Sequence, residues 1–263
     1  MALTFIAVEG QHEVEFLSGL CKSFGYKKVT KVAELDEDHQ RHLLQTKYPY
    51  EGDLLKRMPN PMFLSNGSDW IALQAAGDAS QLCPLVRRTL VSLKSNPSLL
   101  TAIGVVRDAD SMPGNAQFNT LRNELSQSIQ VDGFSINLPE TPGAVNQDSP
   151  RVGIFILPDN SKQGTLEELL FDCGRSVYPH LIERAGSYVN TLDLAQLNSS
   201  DVRLINKPHG KDKAVIASAA SILKPGMAIG NSIDQNRWIN EVSIALPRIA
   251  KLTIFLQQLC GLS

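Results

Sequence analysis

Short, uninterrupted apolar runs recur along the chain, separated by longer stretches in which apolar residues have helical spacing. Runs of about six apolar residues, bounded by charged or turn-forming positions, are typical of strands buried on both faces of a parallel sheet. Such runs predict strands at residues 3–8, 70–76, 99–106 and 152–157. Because these runs alternate with helical stretches, the pattern predicts an α/β fold in which a parallel sheet is flanked by helices.

The stretches between the strands have the period of amphipathic helices. In residues 12–24, for example, Val14, Leu17 and Cys21 fall on one helix face. Helices are predicted at residues 12–24, 80–94, 115–129, 166–171, 177–185, 212–223 and 240–259. No strand is predicted after the run at residues 152–157, so we expect a helical C-terminal section that covers one face or edge of the sheet.

One segment breaks the alternation of strands and helices. An edge strand is predicted at residues 28–33, and the chain then becomes polar and charged. Three prolines further on exclude a continuous helix there, namely Pro49, Pro59 and Pro61. We interpret residues 34–66 as an insertion or lid, and the alternative is a surface excursion without chemistry.

The length of 263 residues allows one large domain or two small ones. We predict an α/β core at residues 1–175, interrupted by the insertion, and a mainly helical section at residues 176–263 packed on that core. The hydrophobic fraction of 43% and the charged fraction of 20% are ordinary for a globular protein. The formal net charge of −2 gives no overall basic field, so a nucleic-acid substrate would need a local basic patch and a metal.

The spacing of the cysteines and the lengths of the apolar runs indicate the cellular compartment to expect. The four cysteines are far apart and form no C-x-x-C pair, which is typical of reduced core cysteines in a cytosolic protein. The first residues lack the basic region of a signal peptide, and no apolar run approaches the ~20 residues that a membrane helix needs. We therefore expect a cytoplasmic protein without membrane contact. The cysteines are Cys21, Cys83, Cys173 and Cys260.

Carboxylates follow the predicted strands at the positions where each strand ends. Glu9 comes directly after the first strand, with Glu13 one turn into the next helix. Asp108 and Asp110 follow the strand at residues 99–106. Ligands bind at the carboxyl ends of parallel strands, and carboxylates gathered there repel one another unless a cation lies between them. Mg²⁺ prefers such oxygen ligands. The structural alternatives are that Glu9 stabilises a helix start and that the Asp pair belongs to a turn.

A third polar group follows the strand at residues 152–157. Asp159 is a candidate contact for a cation or a phosphate. Thr165 and Glu168 fit a capping box at a helix start. This box explains Glu168 and leaves Glu167, in the same first turn, as a candidate ligand.

The concentrated basic segment of the second half spans residues 207–213 and precedes a predicted helix. Backbone N–H groups at a helix start and nearby lysines can receive a phosphate, so Lys211 and His209 are candidate substrate contacts. A solvated loop is the alternative. His39 and His42 lie in a run of acidic residues and are expected on a solvated helix face.

Several other catalytic motifs are absent from the sequence. There is no zinc-type Cys/His spacing, no G-x-S-x-G elbow and no G-x-x-x-x-G-K-[ST] phosphate loop. The chain is therefore not expected to hydrolyse nucleotides by the P-loop route.

The two acidic motifs resemble those that define the Toprim domain, the metal-binding core of topoisomerases, bacterial primases and overcoming-lysogenization-defect nucleases. They are Val8-Glu9-Gly10 and Asp108-Ala109-Asp110. Glu13, in place of a more usual Asp, is similar to the nuclease branch. The pattern Ile-Leu-Pro-Asp-Asn followed by Gly-Thr-Leu-Glu also resembles an uncharacterised bacterial family, found in cyanobacteria among others, over most of the chain. The resemblance to the Toprim domain implies a Toprim-like, Rossmann-like parallel sheet.

The resemblance implies a role for each matching residue. Glu9 would act as general acid or base, with Glu13 beside it. Asp108 and Asp110 would bind Mg²⁺ or Mn²⁺ together with Glu9, and Glu13 and Glu167 would complete a second metal position. The implied activity is metal-dependent cleavage or transfer at phosphodiester bonds, in nucleic acid or another phosphate-containing substrate.

The chain also departs from the Toprim pattern. Glu9 and Asp108 lie 99 positions apart, more than a compact Toprim core needs, and the insertion accounts for part of that gap. No tyrosine stands in an obvious nucleophile context, which argues against topoisomerase chemistry. The ATPase part of the nuclease family is absent, and nothing in the sequence supports an ATPase partner on another chain.

Two alternatives to a nuclease stay open at the level of the sequence. A non-catalytic module that binds nucleic acid or nucleotide would keep the fold without the chemistry, and the near-neutral charge favours it. A nucleotide-processing enzyme with a small phosphate substrate is the other. The size and basicity of the cleft would separate these functions.

Overall fold

The computed structural model describes residues 2–55 and 58–262. In this part of the chain the strands are β1 (Ala2–Val8), β2 (Lys27–Lys28), β3 (Met62–Ser65), β4 (Asp69–Ala75), β5 (Leu100–Asp108) and β6 (Arg151–Leu157). They form one six-stranded sheet in the order β2-β3-β4-β1-β5-β6. The α/β fold class predicted from the sequence is confirmed.

The helices of the described residues lie between and after these strands. They are α1 (Gln11–Ser23), α2 (Glu37–Leu43), α3 (Leu82–Leu93), α4 (Gly114–Ser128), α5 (Leu166–Val177), α6 (Pro179–Thr191), α7 (Ser199–Val202), α8 (Gly210–Leu223), α9 (Ile229–Gln235), α10 (Glu241–Ile244) and α11 (Pro247–Leu259). Short 3₁₀ turns occur at Val32–Glu34, Tyr50–Gly52, Ala79–Gln81, Pro97–Leu99 and Leu194–Gln196. The C-terminal section is helical, as predicted.

The centre of the sheet is parallel and one side of it is antiparallel. β1 pairs in parallel with both β4 and β5, and β6 extends the parallel part beyond β5. β3 pairs antiparallel with β4, and β2 pairs antiparallel with β3. The parallel sheet predicted from the sequence is thus present in β4, β1, β5 and β6, and the antiparallel β2 and β3 extend it at one side. β3 was missed because it is a four-residue apolar run that directly follows prolines, inside the segment interpreted as an insertion.

Side chains of β1 alternate between two hydrophobic cores, one on each face of the sheet. Leu3, Phe5 and Ala7 pack with apolar residues of α3 and α4, whereas Ile6 and Val8 pack with α1 and the C-terminal helices. On that second face α1 contacts α9 and α11, and α11 contacts β5 and β6. Both faces are therefore covered, which explains the continuous apolar strands.

Three local predictions differ from the structure. The edge strand expected at residues 28–33 is reduced to β2, and Val32–Glu34 forms a 3₁₀ turn. The helix expected at residues 240–259 is divided into α10 and α11, because Pro247 has no N–H to continue the first helix and instead begins the second.

The third difference concerns His39, which was expected on a solvated helix face. Its side chain is completely buried, next to Phe63 and Trp70. Asp36 Oδ2 lies 2.7 Å from His39 Nδ1, so the acidic run supplies a partner for the ring. The sequence did not predict the burial of His39, because charged residues surround it and a single buried position in a short polar helix gives no clear periodicity.

The cysteines agree with the sequence prediction of unpaired, mostly buried thiols. All four cysteines are free, and three of them are buried. Within the described residues, no helix is both long enough and apolar enough to cross a membrane.

Candidate functional site

The ends of β1 and β5 bring Glu9 and Asp108 together. Val8 pairs with Val106, so the two parallel strands reach the same edge of the sheet. The backbone N–H of Asp108 donates a hydrogen bond to Glu9 Oε1 at 3.1 Å. Two residues that are 99 positions apart in sequence are therefore direct neighbours at the carboxyl edge of the sheet.

Two further carboxylates enter this edge from helix N-termini. Glu13 lies in the first turn of α1 and Glu167 in the first turn of α5, and both are buried. The N–H of Leu166, which begins α5, donates to Asp108 Oδ1 at 3.1 Å. The hydroxyl of Thr165 donates to Glu167 Oε2 at 2.6 Å. We call Glu9, Glu13, Asp108, Asp110 and Glu167 the acidic cluster.

The carboxylate of Glu13 passes close to the backbone of the preceding loop at Gly10. A Cβ placed on Gly10 would lie 2.9 Å from Glu13 Oε2. The absence of a side chain at Gly10 therefore leaves room for the carboxylate of Glu13 beside the end of β1. The capping box predicted at Thr165 and Glu168 is present and fixes the start of α5.

Burial and neighbouring carboxylates raise the pKa of Glu9, Glu13 and Asp108. Burial raises the pKa of Asp108 well above its ordinary value, and the charges of Glu13, Glu9, Glu167 and Asp110 raise it further. Burial also raises the pKa of Glu13, to which the charge of Glu167 adds. These residues therefore share one electrostatic environment.

Glu9 has the pKa of a group that titrates at neutral pH. Burial raises its pKa from 4.5 to about 7, and the charges of Asp110 and Glu13 act in the same direction. The hydrogen bond from Asp108 and the charge of Arg107 oppose the rise. Arg107 Nε lies 3.7 Å from Glu9 Oε1, and its Nη1 lies 3.4 Å from Glu124 Oε2. The sequence analysis missed Arg107, although it directly precedes Asp108.

Asp110 lies beyond the end of β5 in a turn. Its φ of 52° is in the left-handed region, and its backbone exchanges two hydrogen bonds of 2.8 Å with Gly164. Asp110 therefore belongs to a turn, which is the structural alternative that the sequence left open, and it does not continue the extended strand. Its charge nevertheless raises the pKa of Asp108, as described above.

Asp159 stabilises its own loop after β6. Its Oδ1 accepts hydrogen bonds from the N–H and hydroxyl of Ser161, at 3.1 and 2.8 Å, and from the N–H of Lys162 at 2.8 Å. Burial raises the pKa of Asp159, but these hydrogen bonds bring it below its ordinary value overall. The carboxylate of Asp159 thus behaves oppositely to those of the acidic cluster.

The basic segment before α8 divides between two sides of that helix. Lys211 is exposed and lines a cavity of about 540 Å³ to which α5, α6 and α8 contribute. The charge of Lys213 instead opposes the rise in the pKa of Glu13 that burial causes. Lys213, which the sequence analysis did not single out, is therefore the lysine of this segment whose charge acts on the acidic cluster. His209 Nδ1 lies 3.6 Å from Glu168 Oε1.

A second cavity, of about 730 Å³, lies beside the end of β1. Gly10 and Gln11 line it next to the acidic cluster, and residues of the predicted insertion form part of its wall. Its remaining polar side chains are three amides, one tyrosine, two carboxylates and one cation, Arg88. The lining residues are Gly10, Gln11, Tyr50, Glu51, Met58, Pro59, Asn60, Gln74, Ala75, Ala76, Gly77, Asp78, Gln81, Leu85 and Arg88.

Direct ligation of one metal ion needs ligand atoms that lie close together. Within the residues that the structure describes, the His/Cys/Asp/Glu group of three with ligand atoms less than 4.8 Å apart is Glu168, His209 and Asp212. The acidic cluster does not meet this spacing. Mg²⁺ usually retains several waters and takes one or two carboxylates, so the cluster still has the donor set and charge that Mg²⁺ requires.

Comparisons with known proteins agree with the α/β fold. A family model described as "Protein of unknown function (DUF3226)" matches residues 4–261. The chain is similar to the crystal structure of the hypothetical protein PH0156 from Pyrococcus horikoshii OT3, with a TM-score of 0.51 and 16% sequence identity. That similarity covers 100% of this chain and 96% of that chain, and at this identity it shows a common fold alone. None of the curated proteins matches the chain.

The raised pKa of Glu9 makes stability depend on pH. Between its ordinary pKa of 4.5 and about 7, folded Glu9 holds a proton that the unfolded chain releases. The free energy of unfolding, measured by urea denaturation with a chelator present, should therefore be highest near about pH 5 and fall as the pH rises through 7. The expected fall for Glu9 alone is on the order of 3 kcal/mol.

Two Asp→Asn variants separate the acidic cluster from an ordinary structural carboxylate. Asp108→Asn should stabilise the metal-free protein near about pH 8, because it removes one of the repelling charges. Asp159→Asn should destabilise it at that pH, because the carboxylate of Asp159 accepts hydrogen bonds from its own loop. Equal effects of the two variants would contradict the repulsion.

Proposed function

The chain belongs to the family described as "Protein of unknown function (DUF3226)", and from its acidic cluster we propose that it cleaves or transfers phosphodiester bonds with the help of Mg²⁺. The observation that carries this proposal is the meeting of Glu9, Glu13, Asp108 and Glu167 at one edge of the sheet, where burial and neighbouring charges raise the pKa of Glu9, Glu13 and Asp108. The resemblance of the Glu-Gly and Asp-x-Asp motifs to Toprim nucleases supports the same function.

The acidic cluster fits a divalent cation by donor type and by charge. All of its members offer hard carboxylate oxygens, the ligand class that Mg²⁺ and Mn²⁺ prefer. Asp108 and Asp110 would hold one cation, with Glu9 beside it as the acid–base group, and Glu13 and Glu167 would complete a second position. A bound Mg²⁺ would supply positive charge to the phosphate oxygens on which negative charge develops.

Glu9 is suited to move a proton at neutral pH. A pKa of about 7 lets one carboxyl group exist in both its acid and base forms near physiological pH, as general acid–base catalysis requires. The N–H of Asp108 donates a hydrogen bond to Glu9 Oε1, and Arg107 Nε lies 3.7 Å from the same oxygen. We therefore assign the acid–base role to Glu9 rather than to Glu13.

The surroundings of the cluster offer space and positive charge for a phosphate-containing substrate. The cavity of about 730 Å³ begins at Gly10, directly after Glu9, and contains Arg88 in its wall beside the carboxylates of Glu51 and Asp78. A phosphate there would therefore need the bound cation as well as Arg88. Lys213 contributes a cation near Glu13 from the opposite side, on α8. A lysine near a phosphate acts as a point charge that strengthens binding without requiring a fixed geometry.

The second candidate function is a non-catalytic module that binds nucleic acid or a nucleotide. The formal net charge of −2 favours it, because proteins that bind nucleic acid strongly usually have basic surfaces. In an enzyme the acidic cluster would be needed for catalysis, whereas in a binding module it would have no catalytic role.

Mg²⁺ should raise the melting temperature of the protein. A cation that binds the folded state alone stabilises it by mass action, and here it also relieves carboxylate repulsion. The double variant Asp108→Asn, Asp110→Asn should lose most of the rise in melting temperature. Asp132→Asn is the control, because Asp132 is an exposed carboxylate that pairs with Lys94. An unchanged Mg²⁺ response in the double variant would remove Asp108 and Asp110 as ligands.

Glu9→Gln tests whether the protein is an enzyme. The amide is nearly isosteric and cannot exchange a proton at neutral pH, so cleavage of DNA or RNA with Mn²⁺ or Mg²⁺ should fall by roughly 10²-fold or more. Glu37→Gln, at an exposed position of α2, should retain full activity. If the purified protein cuts no substrate, binds nucleic acid in a salt-sensitive way, and binds equally well as Glu9→Gln, the binding module is the correct function.

Lys213→Ala and Lys211→Ala form a matched pair on one helix. We expect Lys213→Ala to raise KM for the phosphodiester substrate and to reduce the salt dependence of binding, because its charge acts on the acidic cluster. Lys211→Ala, two residues earlier, should have the smaller effect, since Lys211 lines a different cavity. A larger effect of Lys211→Ala would place the substrate on the other side of α8.

A further inference from the structure

Glu168, His209 and Asp212 meet where the N-termini of α5 and α8 approach each other. His209 is the residue before α8, Asp212 lies in the first turn of α8, and Glu168 lies in the first turn of α5. One ligand atom from each residue lies within 4.8 Å of the other two. Each side chain is half-buried, so the group is open to solvent on one side.

The distances within this group are too long for ordinary hydrogen bonds. His209 Nδ1 lies 3.6 Å from Glu168 Oε1 and 3.8 Å from Asp212 Oδ2. N–H···O hydrogen bonds are about 2.7–3.2 Å long. In a tetrahedral zinc site with bonds of about 2.0–2.2 Å, neighbouring ligand atoms lie roughly 3.3–3.5 Å apart. The observed separations are therefore closer to those of atoms around a shared cation.

Other contacts fix the carboxylate of Glu168 and the backbone at His209. Glu168 Oε2 accepts the N–H of Thr165 at 2.6 Å, and its Oε1 is the atom nearest to His209. His209 has a left-handed backbone with φ of 58°. Gly210 packs so tightly on the preceding turn that a Cβ there would collide with the carbonyl oxygens of Leu204 and Ile205. The backbone on both sides of the group is thus fixed before any ion binds.

Charge also favours a cation between these residues. The two carboxylates carry two negative charges, whereas the two helix N-termini offer roughly half a positive charge each. If the imidazole is neutral, the three residues and the two helix N-termini together carry a net charge of about −1. An imidazole among the ligands selects a transition metal over Mg²⁺.

We propose that Glu168, His209 and Asp212 form a divalent transition-metal site, suited to Zn²⁺, with a fourth position open to solvent. The site is distinct from the acidic cluster and does not depend on phosphodiester chemistry. It joins α8 to the start of α5, so an ion there would fix the helix that carries Lys213 next to Glu13.

His209→Asn tests the site with the least disturbance of the backbone, because asparagine tolerates the left-handed conformation. Zn²⁺ binding to the full chain, measured by competition with a chromophoric chelator, should weaken at least about 10-fold, since even outer-shell changes at metal sites cost about that much. Asp212→Asn, in a partly exposed first turn, should weaken Zn²⁺ binding similarly. Unaltered affinity in both variants would overturn the proposal.

Two control variants separate this site from others on the protein. His180 lies 3.9 Å from Glu183 on an exposed helix face, and His180→Asn should leave Zn²⁺ affinity unchanged. The double variant Asp108→Asn, Asp110→Asn should likewise retain Zn²⁺ binding, even if it loses its response to Mg²⁺. An equal loss in His180→Asn would show surface binding only, and a loss in the double variant would assign the zinc to the acidic cluster.

Nuclear magnetic resonance of the imidazole nitrogens identifies the ligand directly. The chain has five histidines, so the His209 signals are assigned by their absence in His209→Asn. Zn²⁺ should shift the Nδ1 resonance of His209 and leave that of His180 in place. A shift confined to other histidines would contradict the site.

Discussion

Burial of like charges at the shared edge of β1 and β5 is the constraint on which the rest of this structure depends. Because Val8 pairs with Val106, Glu9 and Asp108 must meet at that edge whether or not their charges favour it. Removing carboxylates from water without an opposite charge costs free energy, and here the cost appears as raised pKa values. Groups perturbed in this way are concentrated at functional sites, so the cluster is better explained by chemistry than by stability.

The protein offsets only part of this repulsion by itself. Backbone N–H groups of Asp108 and Leu166 donate to Glu9 and Asp108, and the N-termini of α1 and α5 add roughly half a positive charge each. Arg107 adds one more, which it shares with Glu124 outside the cluster. Against five carboxylates this is insufficient. At neutral pH the remaining negative charge must be neutralised by bound protons or by a cation, so the proposed metal binding would be coupled to stability and to pH.

The sequence predicted the central part of this arrangement because it follows from strand ends. Apolar runs marked β1, β5 and β6, and parallel strands end at one edge, so Glu9 and Asp108 could be placed together without coordinates. A turn at the Asp pair was one of the alternatives, but its left-handed conformation at Asp110 could not be predicted, because Asp occurs both in turns and at strand ends. The sequence could not show whether Lys213 or Lys211 acts on the acidic cluster, because tertiary packing decides which side of α8 faces that cluster. Glu168 was assigned to a capping box, and its second oxygen had no predicted partner.

The segments outside the predicted strand–helix core supply what the core lacks. The core brings the carboxylates together, whereas α8 contributes Lys213 and part of residues 34–66 forms a wall of the cavity beside Gly10. A near-neutral total charge is therefore compatible with a phosphate-containing substrate, since the relevant cations are few and local. In the proposed function the acidic motifs could not select a substrate by themselves, because they would act through a cation on phosphate oxygens that all such substrates share. Selectivity would then come from the cavity wall and from α8.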